Sequence, residues 1–180
     1  MHRIVHSVTT LEQHFDLLAR GAHHEYRLPA CPCCGLGRPW FHGYFMRKVD
    51  RLAVPPGAPQ VARICRFFCR GCRRTHSRLP LCIAPRRWFN WTVQQLVLML
   101  LLAGVSLRGA ARQVRVDRHT ARRWRDWLGE AQAGLRMFHL RSHWPALGRT
   151  ADGPAFWREV FTRHGLAQAM ACLDRLQPVP

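Results

Sequence analysis

Two cysteine pairs carry the clearest chemistry in this sequence: Cys31-Pro-Cys-Cys34, followed by Gly35, and Cys69-Arg-Gly-Cys72. Each pair has the C-x2-C spacing, and 34 residues lie between Cys34 and Cys69. Such a turn puts two sulfurs on one side of a tight loop, with backbone amides turned toward them. Two such loops on facing hairpins complete a tetrahedral thiolate site that suits Zn2+. Gly35 and Gly71 fit the turns because glycine tolerates positive φ. Cys33 could stand in for Cys34, although C-x-C gives poorer chelate geometry. Cys65, Cys82 and Cys172 have no partner in the pattern and read as small packing residues. His42 and His76 are ligands of last resort. The rival chemistry is thiol–disulfide exchange, but that motif comes singly in a βαβ context, which is lacking here. The expected metal set is therefore Cys31, Cys34, Cys69 and Cys72, with zinc as the cofactor.

The second constellation is basic. In the stretch from Ser106 to Leu128, Ser106 reads as an N-cap. Leu107, Ala110, Ala111 and Val114 give a short helix its inner face, and the two alanines let another helix cross closely. Arg115 and Val116 make a turn, and Asp117 caps the next helix. In that helix Ala121, Trp124 and Leu128 recur at helical spacing and face inward. Arg118, His119, Arg122 and Arg125 then project outward. A helix-turn-helix lays its second helix in the DNA major groove with its N-terminal residues near base edges. Arg118, His119 and Arg122 hold that position, and arginine is the commonest reader of guanine. Arg123, Arg125, Arg108 and Arg112 are better placed on phosphates, which position without specifying. The plain alternative is a solvated basic face on a helical bundle.

The elements that must position these residues follow from pattern and breakers. Residues 1–30 read as an α+β extension, with a capping box at Thr10 and Gln13 and a helical face of Leu11, Phe15 and Leu18 that Gly21 can end. Residues 31–80 hold too many glycines and prolines for a long helix. Val61–Phe68 reads as a strand, and the loop between the hairpins falls at Ala53–Pro59. Residues 81–91 are a proline and aromatic connector. Residues 92–132 are helical, with Val93, Leu96, Val97 and Leu100 as the buried face of the first helix. Residues 133–180 read as a loose linker over 135–153 and a C-terminal helical segment with Pro154 in its first turn. Gly165 can split that segment. The fold class expected is α+β: a small β-rich zinc ribbon, then a mainly α helix-turn-helix domain and a C-terminal helix.

Composition narrows the partners. Lys+Arg number 28 against 10 Asp+Glu in 180 residues, a net charge of +18. Lys48 is the single lysine. No acid stands between Asp50 and Asp117, a window holding twelve arginines from Arg51 to Arg115. Such a field attracts polyanions, nucleic acid first, with binding that falls steeply as salt rises. No signal peptide pattern opens the chain, and the apolar run Leu96–Ala103 is far short of the roughly 20 residues that span a bilayer. The expectation is an intracellular, nucleoid-associated protein, with thiols holding metal rather than disulfides.

Taken together, Cys31-Pro-Cys-Cys34-Gly, His42-Gly-Tyr-Phe, Arg66-Phe-Phe-Cys69-Arg-Gly-Cys72-Arg-Arg-Thr-His-Ser, Leu79-Pro and Ser106–Leu128 resemble the N-terminal region of bacterial insertion-sequence transposases. The resemblance covers roughly residues 28–130 and implies a transposase-type zinc ribbon with a homeodomain-like helix-turn-helix. Cys33 departs from the usual ribbon. Such transposases continue into an RNase-H-like domain with an Asp-Asp-Glu triad. After the helix-turn-helix, by contrast, Asp152, Glu159 and Asp174 are the acids at hand, with no strand series to carry a two-metal site.

The resemblance thus implies DNA binding and not transposition chemistry, and the chain is expected not to be an enzyme. The leading function is sequence-specific duplex DNA binding, as an accessory protein, truncated transposase or regulator, with a homodimer or a separate transposase or recombinase subunit as partner. The alternatives are a zinc-ribbon module docking on a catalytic subunit through Trp40, Phe41, Tyr44, Trp88, Phe89 and Trp91, or RNA binding through the basic ribbon. The simpler reading of those aromatics is core.

Overall fold

The N-terminal helix forms where local signals agree. The computed structural model describes residues 4–49, 60–85, 89–148 and 152–176. Helix α1 (Leu11–Ala19) starts at Thr10, whose hydroxyl accepts from the Gln13 N–H at 3.1 Å. Gln13 reaches back to the N–H of Thr9 at 2.9 Å, one residue before the cap itself. Gly21, at φ 70°, turns the chain out of the helix. The described residues form two compact units: residues up to Asn90 with the short stretch from Asp174, and residues 91–173.

The first unit is built on a four-stranded sheet in the order β1-β4-β3-β2. Strand β1 (Ile4–Val5) runs parallel to β4 (Thr75–Pro80), while β3 (Val61–Phe68) is antiparallel to both β4 and β2 (Trp40–Lys48). Successive side chains alternate faces, and β3 is buried on both. Cys65 and Phe67 join Val5, Val8, Leu18 and Tyr26, whereas Ala62 and Ile64 join Leu11, Leu79 and Ile83. The strand is as expected, but Val61 and Arg63 remain open on the face that Cys65 and Phe67 share. Strand β2 is an edge with a register shift between Phe41 and Tyr44, where Gly43 takes φ 83°. Inside this unit His14 is fully buried, with Nδ1 2.6 Å from the Tyr26 hydroxyl. Burial lowers the His14 pKa to about 4, so the ring is neutral at pH 7.

The second unit is helical among its described residues: α2 (Trp91–Leu102), α3 (Leu107–Val114), α4 (Arg118–Gly129), α5 (Ala133–His143), α6 (Gly153–Arg163) and α7 (Gly165–Leu173). Helices α2, α3 and α4 pack on one another pairwise, and α6 and α7 pack on α2. The apolar side chains of α2 run nearly all round it, the signature of a central helix. Trp91, Gln94, Val97 and Leu98 are its buried residues, so the expected face is corrected: Leu96 is 51% exposed, and Val93 and Leu100 are half-buried. A second correction concerns 135–153. Much of this linker is helix α5, tied in by the buried side chains of Arg136 and Leu140. The final segment follows the sequence reading, with Pro154 in the first turn of α6 and Gly165, at φ 77°, dividing α6 from α7. The chain is α+β. Among the described residues no helix is long and apolar enough to cross a membrane. The expected loop at Ala53–Pro59 lies outside the described residues, as do Arg51, Arg86, Arg87 and Trp88.

Candidate metal centre and nucleic-acid interface

In the first unit two knuckles bring four thiols together. The Sγ atoms of Cys31, Cys34, Cys69 and Cys72 all lie within 4.8 Å of one another. Cys31–Cys72 and Cys34–Cys69 are each 3.6 Å apart. A tetrahedral zinc site with Zn–S bonds of about 2.3 Å requires sulfurs about 3.8 Å apart, so the set is close to coordinating geometry. The turns are held by the backbone. The N–H of Gly35 donates to the Cys31 carbonyl at 2.9 Å, and the N–H of Cys69 to the Arg74 carbonyl at 2.9 Å. Gly35 takes φ 70° as its role predicts. Gly71 sits in a crowded place rather than a left-handed one: a Cβ there would stand 3.1 Å from Leu36 Cδ1 and 3.4 Å from Cys34 Sγ. The left-handed residue of the second knuckle is Arg73, at φ 55°.

Geometry separates Cys34 from Cys33. Cys34 points into the cluster, while Cys33 is exposed and its sulfur accepts from the Arg74 guanidinium at 3.3 Å. His76 stays outside the sulfur set with Nε2 3.3 Å from Cys31 Sγ, placed to hold a ligand rather than to be one. His42 lies against the Phe68 ring instead. Cys65 is fully buried in the apolar cluster, and burial pushes its thiol up to about 12. Cys82 is raised to about 12 for the same reason, and Cys172 is buried in α7.

Crowding four thiols splits their acidities. Burial opposes ionisation of Cys31, yet the N–H groups of Cys34 and Cys33 and the neighbouring thiols hold it down at about 6. Cys72 is pushed up to about 12, by burial first and then by Cys31, Cys69 and Cys34, against the Arg74 N–H. One thiolate makes the next harder to form. A divalent cation removes that conflict, because it holds its thiols deprotonated. The cluster can hold a metal ion.

In the second unit the turn between α3 and α4 is assembled as its residues suggested. The Ser106 hydroxyl accepts from the Gly109 N–H at 3.1 Å. Arg115, at φ 58°, ends α3 in the left-handed conformation, and Val116 is buried. The Asp117 carboxylate accepts from the N–H groups of His119 at 2.8 Å and Thr120 at 3.2 Å. The Thr120 N–H is the foremost cause that holds its pKa below the usual value. Ala121, Trp124 and Leu128 face inward as expected, joined by Trp127. Arg118, His119, Arg122, Arg123 and Arg125 are exposed on α4, and Arg108 and Arg112 on α3. Arg125 differs from the rest: its guanidinium grips the neighbouring Asp126 at 2.6 and 2.9 Å.

Sequence reasoning missed Arg136. Its side chain donates to the Trp127 carbonyl and to Glu130 Oε2 at 2.7 Å, and lies 4.1 Å from the Trp127 ring centroid. It therefore fastens the C-terminal end of α4, where a cation is favoured by the helix dipole. The stretch reads as linker, and nothing in its local pattern sets Arg136 apart from Arg141 and Arg149. Each of the three acids weighed for catalysis has its own setting. Asp152 precedes α6, Glu159 pairs with Arg163 at 3.1 Å, and Asp174 accepts from the Ile4 N–H at 3.1 Å in the first unit.

A family model matches residues 31–124, just over half of the chain. The chain belongs to DUF6431. That family is described as a domain of unknown function. Comparison with curated proteins and with solved structures returns no match. The DUF6431 segment opens on Cys31, the first thiol of the cluster, and closes on Trp124, the inward anchor of α4. It thus contains all four thiols and the whole α3-turn-α4 connection, and excludes α5, α6 and α7.

Proposed function

We propose that this chain is a zinc-holding, sequence-specific duplex DNA-binding protein of insertion-sequence transposase origin, without catalysis of its own. The observation that carries the reading is the outer face of α4. Four basic side chains, Arg118, His119, Arg122 and Arg123, stand in solvent on the helix that Asp117 caps and Trp124 anchors. The turn before it is three residues long, as a helix-turn-helix needs. Arg118, His119 and Arg122 read base edges from the N-terminal part of the helix. Arg108, Arg112 and Arg123 hold phosphates, and Arg125 does so after leaving Asp126. Zinc is the metal assigned to the four cysteine thiolates because it suits a closed tetrahedral sulfur site; it holds the first unit together and does no chemistry. Strand cleavage or joining then belongs to a separate transposase or recombinase subunit, or the chain acts as a nucleoid-associated regulator.

The test is fluorescence anisotropy on duplexes enriched from a random pool. Arg118→Ala and Arg122→Ala are each expected to weaken the enriched duplex about tenfold or more, with the thermal midpoint unchanged. Arg108→Ala and Arg112→Ala should instead weaken all duplexes alike and lower the salt slope by about one each. If both α4 variants bind the enriched duplex as the parent does, the recognition-helix assignment is wrong.

A further inference from the structure

The metal end of the sheet, in the first unit, carries exposed aromatic rings beside arginines. Trp40 of β2 stands opposite Phe68 of β3, so the two side chains share a face. Arg66 lies two residues before Phe68 on that same face, paired in register with Ser77 of β4, and Thr75 pairs with Phe68. The His42 ring sits 5.7 Å from the Phe68 ring. Farther along the sheet, Ile64 and Leu79 are buried in the apolar cluster, but this end is open. Trp40 is 55% exposed, His42 and Thr75 are exposed, and Phe68 and Arg66 are half-buried. Arg70 lies in the turn between Cys69 and Cys72, with its guanidinium 4.6 Å from the Trp40 ring centroid. The thiol cluster therefore fixes a cation over an exposed indole.

We propose that this face binds single-stranded DNA, with unstacked bases lying on Trp40 and Phe68 and with Arg66 and Arg70 on the phosphates. Open aromatic planes flanked by arginine are the chemistry of single-strand binding, since every base has a π-face. A duplex offers only base edges, which a flat indole cannot use. The charge excludes a basic partner, because no acid lies between residues 51 and 116. Rings and cations serve DNA and RNA alike, so the choice of DNA rests on how little this face brings to a 2′-OH. Thr75 and Ser77 offer only short hydroxyls to a sugar 2′-OH. The proposal stands apart from the reading of α4, and the two fail separately.

The experiment uses the full metal-loaded chain and fluorescein-labelled oligothymidylate of about 15 nucleotides, a length that covers one such surface. The parent is expected to bind it in a salt-dependent way. Trp40→Ala should weaken binding about tenfold, Trp40→Phe should restore most of it, and Arg70→Gln should weaken it while lowering the salt slope by about one. Trp40 is a surface residue, and metal content and thermal midpoint show whether each variant is folded. Arg118→Ala should leave oligothymidylate binding unchanged, as Trp40→Ala should leave duplex binding unchanged. The proposal is overturned if the parent does not bind oligothymidylate, or if Trp40→Ala binds it as the parent does. Oligouridylate bound about tenfold more tightly than oligothymidylate would assign the face to RNA and overturn it as well.

Discussion

The metal knuckles and the three-helix core of α2, α3 and α4 solve the same problem, fixing a basic surface, by opposite means. Around the knuckles there is little to bury. Leu36 is 63% exposed, Trp40 is 55% exposed, and Cys31, Pro39 and Cys69 are the buried residues between 31 and 40 and between 69 and 77. Order there depends on sulfur meeting sulfur. In the helical unit Trp124, Phe156, Phe161, Leu166 and Met170 are sealed from solvent, and the caps at Ser106 and Asp117 close the helix starts. A short segment without apolar volume can be rigid only if a strong local bond replaces the core. A segment with apolar volume needs only caps and packing.

This contrast can be broken most forcefully by removing metal. Chelation of the metal-loaded protein is expected to remove stability on the order of 10 kcal/mol from the first unit. The helical circular dichroism of the second should survive. Cys69→Ser should lose the metal in native mass spectrometry, and Cys33→Ser should keep it. Simultaneous loss of all helical signal on chelation would show that the two units do not stand independently.

The next largest effect should come from the other side. Trp124→Ala opens a cavity where the ring is 1% exposed, and roughly 4 kcal/mol of stability should go. Metal stoichiometry is the check that the damage stays in the helical unit.

A smaller effect tests the buried polar pair beneath the sheet. His14 has a pKa of about 4 when folded against its ordinary 6.5. Between those values the unfolded chain binds a proton that the folded chain refuses. Stability therefore rises with pH across that window: the contribution is full above 6.5 and is lost as the pH falls toward 4. The loss should reach about 2 kcal/mol between pH 7 and pH 5. Acid also displaces metal from thiolates, so the measurement is a difference. Urea midpoints of the parent and His14→Phe, followed on the first unit at both pH values, should show a shallower slope for the variant. Equal slopes would place the proton elsewhere. Smallest of all, Ser106→Ala should cost about 1 kcal/mol, seen as a small drop in the thermal midpoint of the helical unit with the metal centre untouched.

Much of the candidate interface was legible because it is local. A serine or aspartate bonding to an N–H two or three residues on depends on neighbours in the chain, so Ser106 and Asp117 could be read directly. The same holds for the inward spacing of Ala121, Trp124 and Leu128. Helix α5 was not legible, because what holds it is Arg136 folding onto the end of α4. The segment has helix formers in Ala133, Leu135, Arg136, Met137 and Leu140, but no capping side chain and no clear apolar stripe, so it looks like linker until the carbonyl partner of Arg136 is present. Helix α2 misled for the reverse reason: with apolar side chains nearly all round, its spacing could not tell that Leu96 faces water and Gln94 does not.

By itself, the sequence determined that two C-x2-C turns exist, that two capped helices meet at a three-residue turn, and that the acid-free window is strongly basic. These are properties of spacing, local hydrogen bonding and composition. Tertiary structure settled the choice of Cys34 over Cys33 that the C-x2-C spacing favoured, and it showed Gly71 crowded by Leu36 and Cys34 rather than in a left-handed turn. It also placed Trp40 outside the core, beneath a guanidinium. Each of those outcomes depends on which distant strand or knuckle lies opposite, and that partner is set only when the sheet closes.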